Sequence, residues 1–362
     1  MALMIRGLGT ALPSDRIAQS EACRIAQTVA IPQRSPTAGE SRLLEAIHRR
    51  SGVATRHSVL LRPGDNGNGS RQSFFGPTNP STGARMRRYG SESVPLALAA
   101  ARRCLEQAEL AGTRITHLVT VSCTGFQAPG FDLALMRDLP LPPEVARTHV
   151  GFMGCHGSLN ALRVAAGFIG ADPEACVLIC AVELCSLHLQ YGWHPERIVA
   201  NALFADGAAA LIATGAQTTP GGFQRLIASG SLLIPDSQEA MSWSIEDHGF
   251  AMTLSAKVPA LIAEHLRPWL QDWLARQGES IESIGSWAVH PGGPRILSEV
   301  TAALGLAPQL IEPSRSVLRD CGNMSSATIL FILERLRQAQ APGPCLAMAF
   351  GPGLCVEVAL LS

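Results

Sequence analysis

The chain has 362 residues and 47% of them are hydrophobic, which is enough to bury a large core in one big domain or in two halves that share an interface. Lys and Arg together number 29, as do Asp and Glu, so neither a basic surface for nucleic acid nor an acidic tail is expected. The N-terminus lacks the features of a signal peptide, and no apolar window is long enough to span a membrane. The ten cysteines show neither a disulfide framework nor zinc-site spacing, so we expect a cytoplasmic protein without a metal.

Short β-branched runs alternate with Ala- and Leu-rich stretches along the chain, a pattern typical of an α/β protein with buried strands. In chain order, the predicted strands are 115–122, 148–153, 176–182, 208–214, 223–233, 285–290, 346–350 and 355–361. The predicted helices are 93–108, 156–169, 256–275, 294–304 and 325–339. Residues 62–84 are rich in Gly, Asn, Ser and Pro, which predicts a long loop, either a plain linker or a functional loop at a binding mouth.

Two parts of the chain resemble each other. Gly154-Cys155 and Gly322-Asn323 each stand immediately before a predicted helix, and residues 115–126 resemble residues 284–294 as a strand followed by a turn. This pattern indicates a duplicated core with a site at the junction of two equivalent halves.

Cys155 stands at a predicted strand-to-helix turn between Gly154 and Gly157. A thiol at a helix N-terminus meets unpaired amide donors and the positive end of the helix dipole, which favour the thiolate. The two glycines let the backbone turn sharply and let a substrate approach. Cys155 is therefore either a nucleophile with a lowered pKa or a small packed side chain, and these residues alone leave both possibilities open.

Two further polar residues stand at the ends of predicted elements. His290 ends the apolar run WAVH and precedes the rigid turn PGGP, where a general base can be held or a core histidine can simply be satisfied. Asn323 begins a helix in GNMSSA, where an N-cap is the ordinary explanation. Together with Cys155 they supply a thiol, an imidazole and an amide, which acyl transfer through a thioester requires.

The segments GCHGSLNALR, WAVHPGGPRIL, GNMSSATILFIL, NALFADGAAALI and FGPGL resemble the corresponding segments of chalcone synthase and its bacterial relatives, the type III polyketide synthases. The likeness runs from about residue 8 to residue 361, and HPGGP and GNMSSA are specific within the thiolase superfamily. The resemblance implies an α/β thiolase fold, with a duplicated βαβαβαββ core in a five-layered α-β-α-β-α arrangement. Residues 1–220 would form the half that carries the nucleophile, and residues 221–362 the half that carries His290 and Asn323.

The resemblance also implies roles for these residues. Cys155 would take the acyl group of an acyl-CoA starter, while His290 and Asn323 would bind the carbonyl of malonyl-CoA and stabilise the enolate left by decarboxylation. His290 would also pair with the thiolate and lower its pKa further. Phe204 matches an aromatic gatekeeper between the coenzyme A tunnel and the cavity. The enzyme would act as a homodimer, need no cofactor beyond its CoA thioesters, and make a short polyketide of pyrone, resorcinol, chalcone or naphthalene type.

Several cavity positions differ from the plant members of the family. Trp243 stands in place of a small Gly, Met252 in place of a second gatekeeping Phe, and His188 in place of a Thr. Because bulk replaces space, we expect a smaller or redirected cavity than one that extends a coumaroyl starter three times. The predicted cavity wall also contains Cys123, Thr124 and Ser325.

Three other positions bear on assembly and substrate binding. His156 replaces a Phe and is either packed in the core or a modifier of thiolate basicity. Ala128 replaces a Met that in plant members reaches into the partner's cavity. Arg50 matches one of the basic residues that bind coenzyme A phosphates, whereas Leu43 and Ala46 occupy the positions of others.

Three alternative functions are less favoured. A β-ketoacyl synthase III that performs a single condensation would need a basic patch for an acidic acyl carrier protein, which this neutral chain does not advertise. The chain order Cys, His, Asn also occurs in papain-like hydrolases, but their CGxCW-type segment is absent. A catalytically silent paralogue is disfavoured because the cysteine, histidine and asparagine are all present.

Overall fold

The protein is described by a computed structural model that covers residues 2–30, 36–63, 70–215 and 225–362. In these ranges the strands are β1 (Leu3–Ala11), β2 (Arg16–Ala18), β3 (Thr55–His57), β4 (Leu61–Pro63), β5 (Ser70–Gln72), β6 (His117–Ser122), β7 (Ala146–Gly151), β8 (Cys176–Leu184), β9 (Asp206–Gly215), β10 (Arg225–Leu233), β11 (Met241–Glu246), β12 (Gly249–Leu254), β13 (Ser286–Val289), β14 (Cys345–Gly351) and β15 (Cys355–Leu361). The helices are α1 (Gln19–Ala30), α2 (Ala38–Arg50), α3 (Thr82–Ala108), α4 (Phe131–Asp138), α5 (Gly157–Ala171), α6 (Pro195–Leu203), α7 (Val258–Ala275), α8 (Pro294–Leu304), α9 (Glu312–Cys321) and α10 (Thr328–Gln338).

The predicted strands and helices are present, with bounds that differ by a few residues, but the predicted loop at 62–84 is wrong at both ends. β4 and β5 pair within it, and α3 begins at Thr82 rather than at residue 93. The side chain of Ser81 caps α3, and buried Arg85 and Tyr89 anchor its first turns, so capping and packing outweigh the turn-forming composition. Residues 64–69 of the predicted loop and the predicted boundary between 220 and 221 lie outside the described residues.

The main sheet shows the duplication that the sequence indicates. One part has the strand order β7-β6-β8-β9-β1, and the other has the order β13-β14-β15-β10. If the strands of each part are ranked by their position in the chain, the two parts have the same spatial order of strands. The exception is β7, which has no counterpart in the second part among the described residues. β1 and β10 join the two parts through the pairs Leu3↔Leu226 and Met4↔Arg225.

Three apolar cores separate the layers. Alternate residues of β8 face opposite ways: Val177 and Ile179 pack on the core that contains α5 and α10, whereas Leu178 and Cys180 pack on the core beneath α3. In the other part of the sheet, β14 and β15 divide in the same way between the α5–α10 core and the core under α7 and α8. The result is a stack of helix, sheet, central helices, sheet and helix.

This stack brings the ends of several elements together. The short 3₁₀ turn at 154–156, which precedes α5, packs against the 3₁₀ turn at 325–327, which precedes α10. The first turn also contacts β14, whose parallel neighbour β13 ends one residue before His290. The duplicated architecture therefore places the three predicted catalytic residues around one junction.

Candidate active site

Cys155 lies in the 3₁₀ turn that leads from β7 into α5. Gly154 precedes it with a φ of 75°, and a Cβ atom built there would lie 2.4 Å from Cδ of Pro352. Only glycine fits such a position without strain. Pro352 leaves no room for a side chain at position 154, and Cys155 as a whole residue is 9% exposed.

The electrostatic surroundings of Cys155 differ from the expectation. Burial is the main cause that raises the pKa of its thiol to about 12. A hydrogen bond from Ser325 Oγ to Sγ at 3.6 Å acts in the opposite direction, and the Glu183 carboxylate adds to the rise. The predicted lowering of the thiol pKa by the helix start is therefore wrong, because desolvation dominates. At pH 7 the residue is a neutral thiol.

A buried carboxylate organises the wall beside this thiol. Glu183 on β8 accepts hydrogen bonds from Thr124 Oγ1 at 2.6 Å, from the Cys123 amide at 3.1 Å and from Ser326 Oγ. Cys123 Sγ lies 3.0 Å from Ser325 Oγ, so one line of contacts joins Glu183 to the predicted nucleophile. Glu183 is not among the residues predicted from the sequence, although a single acid in the apolar run CVLICAVEL is a detectable signal.

His290 lies one residue beyond β13, and its ring is buried. Its backbone N–H donates to the Met348 carbonyl at 2.8 Å. Neither ring nitrogen has a hydrogen-bond partner among the described residues. Burial, together with a smaller effect of His156, lowers the pKa of His290 to about 3, so the imidazole is neutral and holds one free donor and one free acceptor. The predicted pairing of this ring with a thiolate is therefore not present.

His156 follows the nucleophile and is buried at the start of α5. Its Nδ1 lies 2.6 Å from Asn160 Oδ1, and a Cβ atom on Gly351 would collide with its ring. Burial lowers its pKa. These contacts favour the first of the two interpretations, a packed core residue.

Asn323 is held in place by hydrogen bonds of its backbone and of its side-chain oxygen. Its backbone N–H donates to the Leu203 carbonyl at 2.9 Å, and its carbonyl accepts from the Ala205 amide at 2.8 Å, which forms an isolated β-bridge with Phe204. Its side-chain Oδ1 accepts from the Ser325 amide at 2.9 Å. The amide Nδ2 has no hydrogen-bond partner among the described residues, so two N–H donors remain for a ligand.

A cavity of about 30 Å³, here called the nucleophile cavity, lies next to the thiol. It brings together seven of the predicted residues, namely Cys123, Thr124, Cys155, Phe204, Trp243, Met252 and Ser325. Cys185, which is not predicted from the sequence, also lines it. His290 and Asn323 are not among the described residues that line this cavity.

Aromatic side chains form a rigid part of the cavity wall. Trp243 Nε1–H donates to the Cys123 carbonyl at 2.7 Å. His188 stacks on Phe250 with 4.1 Å between ring centroids, its Nδ1 accepts the Phe250 amide, and its Nε2–H donates to the Thr124 carbonyl. Burial lowers the pKa of His188 to about 3, so this neutral tautomer persists at pH 7.

Two larger spaces flank the nucleophile cavity. A cavity of about 90 Å³, here called the inner cavity, shares Cys185, Phe204, Trp243 and Met252 with it, and His188 also lines the inner cavity. A groove of about 610 Å³, here called the outer groove, is lined by the following residues, among others: Leu43, Ala46, Arg50, Leu203, Gly292, Gly293 and Arg295. Phe204, the predicted gatekeeper, lines both cavities, and the preceding residue, Leu203, lines the groove. Arg295 is not predicted from the sequence.

Within the described ranges, no cluster of three or more His, Cys, Asp or Glu side chains is placed to hold a metal ion. In the same ranges, no helix has the length and apolar character needed to cross a membrane. All ten cysteines are free thiols.

The family model for the N-terminal domain of chalcone and stilbene synthases matches residues 2–217, and the model for their C-terminal domain matches residues 225–362. The chain is 33% identical to 1,3,6,8-tetrahydroxynaphthalene synthase of Streptomyces peucetius, covering 99% of this chain and 92% of that protein. It is 31% identical to the alpha-pyrone synthesis polyketide synthase-like Pks18 of Mycobacterium tuberculosis, covering 98% and 89%. Among solved structures, PKS-I of the brown alga Ectocarpus siliculosus superimposes with a TM-score of 0.92 at 28% identity, covering 99% of this chain and 98% of that one.

Proposed function

Because this chain belongs to the chalcone and stilbene synthase family and is a type III polyketide synthase with the thiolase fold, we propose that Cys155 carries the growing acyl chain while His290 and Asn323 activate malonyl-CoA. The observation that carries the proposal is the state of the two donors. The side-chain oxygen of Asn323 accepts a hydrogen bond from the Ser325 amide, which leaves its N–H groups available to a ligand. The His290 ring is neutral, and its nitrogens have no partner among the described residues.

These donors suit the chemistry of decarboxylation. When the bond between the malonyl methylene carbon and its carboxylate breaks, carbon dioxide leaves and the electron pair becomes an enolate. The negative oxygen is stabilised by N–H donors fixed in a dry site. The enolate carbon then attacks the thioester carbonyl on Cys155, a carbon–carbon bond forms, and the thiolate is released. The product is a β-ketoacyl-CoA that is two carbons longer than the starter. For a further round, the Cys155 thiol attacks this thioester, coenzyme A leaves, and the lengthened chain is again bound to Cys155.

Loading of the starter follows from the neutral states of the thiol and the imidazole. A neutral thiol must lose its proton before it attacks an acyl-CoA, and a neutral imidazole with a free acceptor nitrogen can take it. We therefore propose that His290 removes the Cys155 proton as Sγ attacks the acyl-CoA carbonyl. The bond to the coenzyme A sulfur then breaks, and the coenzyme leaves as a thiol after it takes the proton from His290. This differs from a preformed ion pair, in which the proton has already moved.

The outer groove is proposed to hold coenzyme A, with Arg50 and Arg295 available to its phosphates. Phe204 would then separate the coenzyme from the reacting carbons and exclude water. Malonyl-CoA and an acyl-CoA starter would be the only ligands required, with no additional cofactor.

The protein is proposed to act as a cytoplasmic homodimer. β7 is an edge strand of the main sheet, and exposed apolar Phe126, Leu133 and Met153 belong to the segments beside it. Exposed edges and apolar patches of this kind are commonly covered by another chain. Measuring the mass of the native protein and of a Met153→Glu variant by light scattering tests this, since a monomeric wild type would contradict the dimer.

Mass spectrometry of products from the purified protein, malonyl-CoA and a panel of acyl-CoA starters tests the function. Products that carry two or more added malonyl-derived units, absent from Cys155→Ala, are expected. Release of only a singly extended β-ketoacyl product, or dependence on an acyl carrier protein, would favour the synthase III alternative. Hydrolysis without any new carbon–carbon bond would favour the hydrolase alternative.

A further inference from the structure

The lining of the inner cavity combines apolar and basic residues. Ile25 of α1, Leu61 of β4 and Phe75 of the segment before α3 contribute apolar surface. Arg56 and Arg197 contribute positive charge. No carboxylate is among the described residues that line the cavity, so the wall combines an apolar surface with positive charge.

Arg56 on β3 is the unusual member of this wall, because it is a buried cation. Its side chain is 9% exposed, and its Nη1 donates to the carbonyls of Asn201 at 2.5 Å and Phe204 at 3.0 Å. Its Nε and Nη2 have no hydrogen-bond partner among the described residues. Burial lowers the pKa of Arg56 to about 10, so the guanidinium is still charged at pH 7. Because Arg56 lines the inner cavity, these two groups are available to donate hydrogen bonds to a ligand there.

The nearby acids do not satisfy these donors. Asp206 interacts electrostatically with Arg56, but its oxygens accept the amides of Val59 and Ser186 and the Ser186 hydroxyl. Glu246 faces Arg197, with 3.5 Å between Nη2 and Oε2. Among the described residues, Arg56 therefore has Asp206 as an electrostatic neighbour but forms no direct ion pair with an acid, and its Nε and Nη2 remain available.

The inner cavity and the nucleophile cavity share part of their walls. Phe204 and Trp243 line both, and the Phe204 carbonyl is one of the two groups that orient Arg56. A chain attached to Cys155 that passes these side chains would meet the guanidinium.

We infer that Arg56 binds a keto or enolate oxygen of the polyketide chain that grows on Cys155, and that the inner cavity holds the distal part of that chain. This inference rests on the proposed function. A β-polyketide carries an acceptor oxygen at every second carbon, and the methylene groups between its carbonyls ionise readily to enolates. A saturated acyl tail offers neither, and would leave Arg56 unpaired.

A pair of small ligands tests this without turnover. The acidic pyrone 4-hydroxy-6-methyl-2-pyrone and its neutral 4-methoxy ether differ chiefly in charge, and their binding to the full protein can be measured by calorimetry. The wild type is expected to bind the acidic pyrone about tenfold more tightly, as charge-assisted hydrogen bonding predicts. Arg56→Met should abolish this preference, Arg56→Lys should keep part of it, and Arg102→Met, an exposed arginine on α3, should keep it all. Equal binding of the two pyrones to the wild type, or a preference that persists in Arg56→Met, overturns the inference.

Product analysis gives a second readout. Arg56→Met should shift products towards fewer malonyl extensions at equal starter consumption, and Arg56→Lys should restore part of the wild-type length. Faster use of long saturated starters by Arg56→Met, with unchanged extension number, would show instead that the cavity holds an apolar tail. If Arg56→Met does not fold, the inference is tested by the binding of the two pyrones to the wild type and to Arg56→Lys. A wild type that makes polyketides but binds both pyrones equally contradicts only this inference, whereas a wild type that forms no carbon–carbon bond contradicts the proposed function.

Discussion

The junction before α5 and the junction before α10 begin with the same backbone move. Gly154 has a φ of 75° and Gly322 a φ of 78°, and the next residue is the one proposed to do chemistry. Cys155 lies within a 3₁₀ turn that leads into α5, whereas Asn323 precedes, by two residues, a 3₁₀ turn that leads into α10. The side chains differ in what they bind. In the part of the chain that the structure describes, the Cys155 thiol has a single hydrogen-bond partner, Ser325 Oγ at 3.6 Å, whereas the Asn323 side-chain oxygen accepts from the Ser325 amide in its own turn. A nucleophile must move towards its target, while an oxyanion donor works best when immobile, and the duplicated turn serves each need.

The largest expected effect comes from removing the thiol at the first junction. Cys155→Ala should abolish starter loading and polyketide formation, because no other group takes the acyl chain. Decarboxylation of malonyl-CoA should continue, because the donors of the second junction are untouched. Separate assays of carbon dioxide release and of product mass check this. Loss of both activities in a folded variant would show that Cys155 is needed for decarboxylation as well as for carrying the acyl chain.

The next effect comes from changing the donor at the second junction. Asn323→Asp keeps an oxygen for the Ser325 amide but has no N–H, so decarboxylation should fall by about 10²–10³-fold, as for loss of one oxyanion donor. Asn323→Ala should fall similarly and also lose stability, since the Ser325 amide is then unpaired. Rates of carbon dioxide release and melting temperatures measure these effects. A fully active Asn323→Asp would show that the amide has only a capping role.

A third pair of variants tests whether the two backbones are equivalent. Gly154→Ala and Gly322→Ala should each lower the free energy of unfolding by about 1–3 kcal/mol, since both add a Cβ at positive φ. The added atom would also lie 2.4 Å from Pro352 in one variant and 2.8 Å from Ala205 in the other. Gly167→Ala is the control, because this glycine lies within α5 with open space around it and should be neutral or slightly stabilising. Denaturant titrations would reveal any asymmetry, and an undisturbed Gly322→Ala would break the equivalence.

Trp243 limits the space on the thiol side. An aromatic ring of this size covers about 150–250 Å² of surface, so Trp243→Gly should open the wall shared by the nucleophile and inner cavities. The variant should accept bulkier starters or add one further malonyl unit, provided the void does not collapse. Product masses across starters of increasing length check this, alongside melting temperatures. An unchanged product set from a stable variant would show that Trp243 does not limit chain length.

The smallest expected effect concerns the pH dependence of malonyl-CoA decarboxylation, the step assigned to His290 and Asn323. Because the pKa of His290 is lowered to about 3, its ring stays neutral as the pH falls from 8 to 5.5. Carbon dioxide release by Cys155→Ala, which isolates this step, should therefore change by less than about twofold over that range. A step near pH 6.5 would indicate an ordinary histidine that titrates during the reaction.

Sequence patterns predicted the parts of the fold where composition and periodicity agree, such as α8 and β15. They failed at the start of α3, where Arg85 is buried among carbonyl oxygens that only the folded chain assembles. The roles assigned to Cys155, His290 and Asn323 rest on short motifs, which can be recognised from a few neighbouring residues in the sequence. The pKa of the thiol could not be predicted in the same way, because its burial depends on residues far away in the chain.

Residues missing from the prediction share one property. Glu183 and Arg56 form hydrogen bonds with residues remote in sequence, and Cys185 and Arg295 line cavities that distant segments assemble, so no functional motif in the local sequence identifies them. The lone acid in β8 was the most visible signal, since an unpaired charge inside an apolar strand demands several donors.

Phe204 contributes two different things to the site, and they can be altered independently. Its ring borders two cavities, but its backbone forms the bridge that holds Asn323. Replacing the side chain should therefore resize the reaction space without displacing the amide. A one-residue insertion or deletion between α6 and β9 should instead shift the amide and uncouple decarboxylation from condensation. Libraries intended to diversify products of this scaffold should accordingly vary side chains at position 204 and keep the loop length constant.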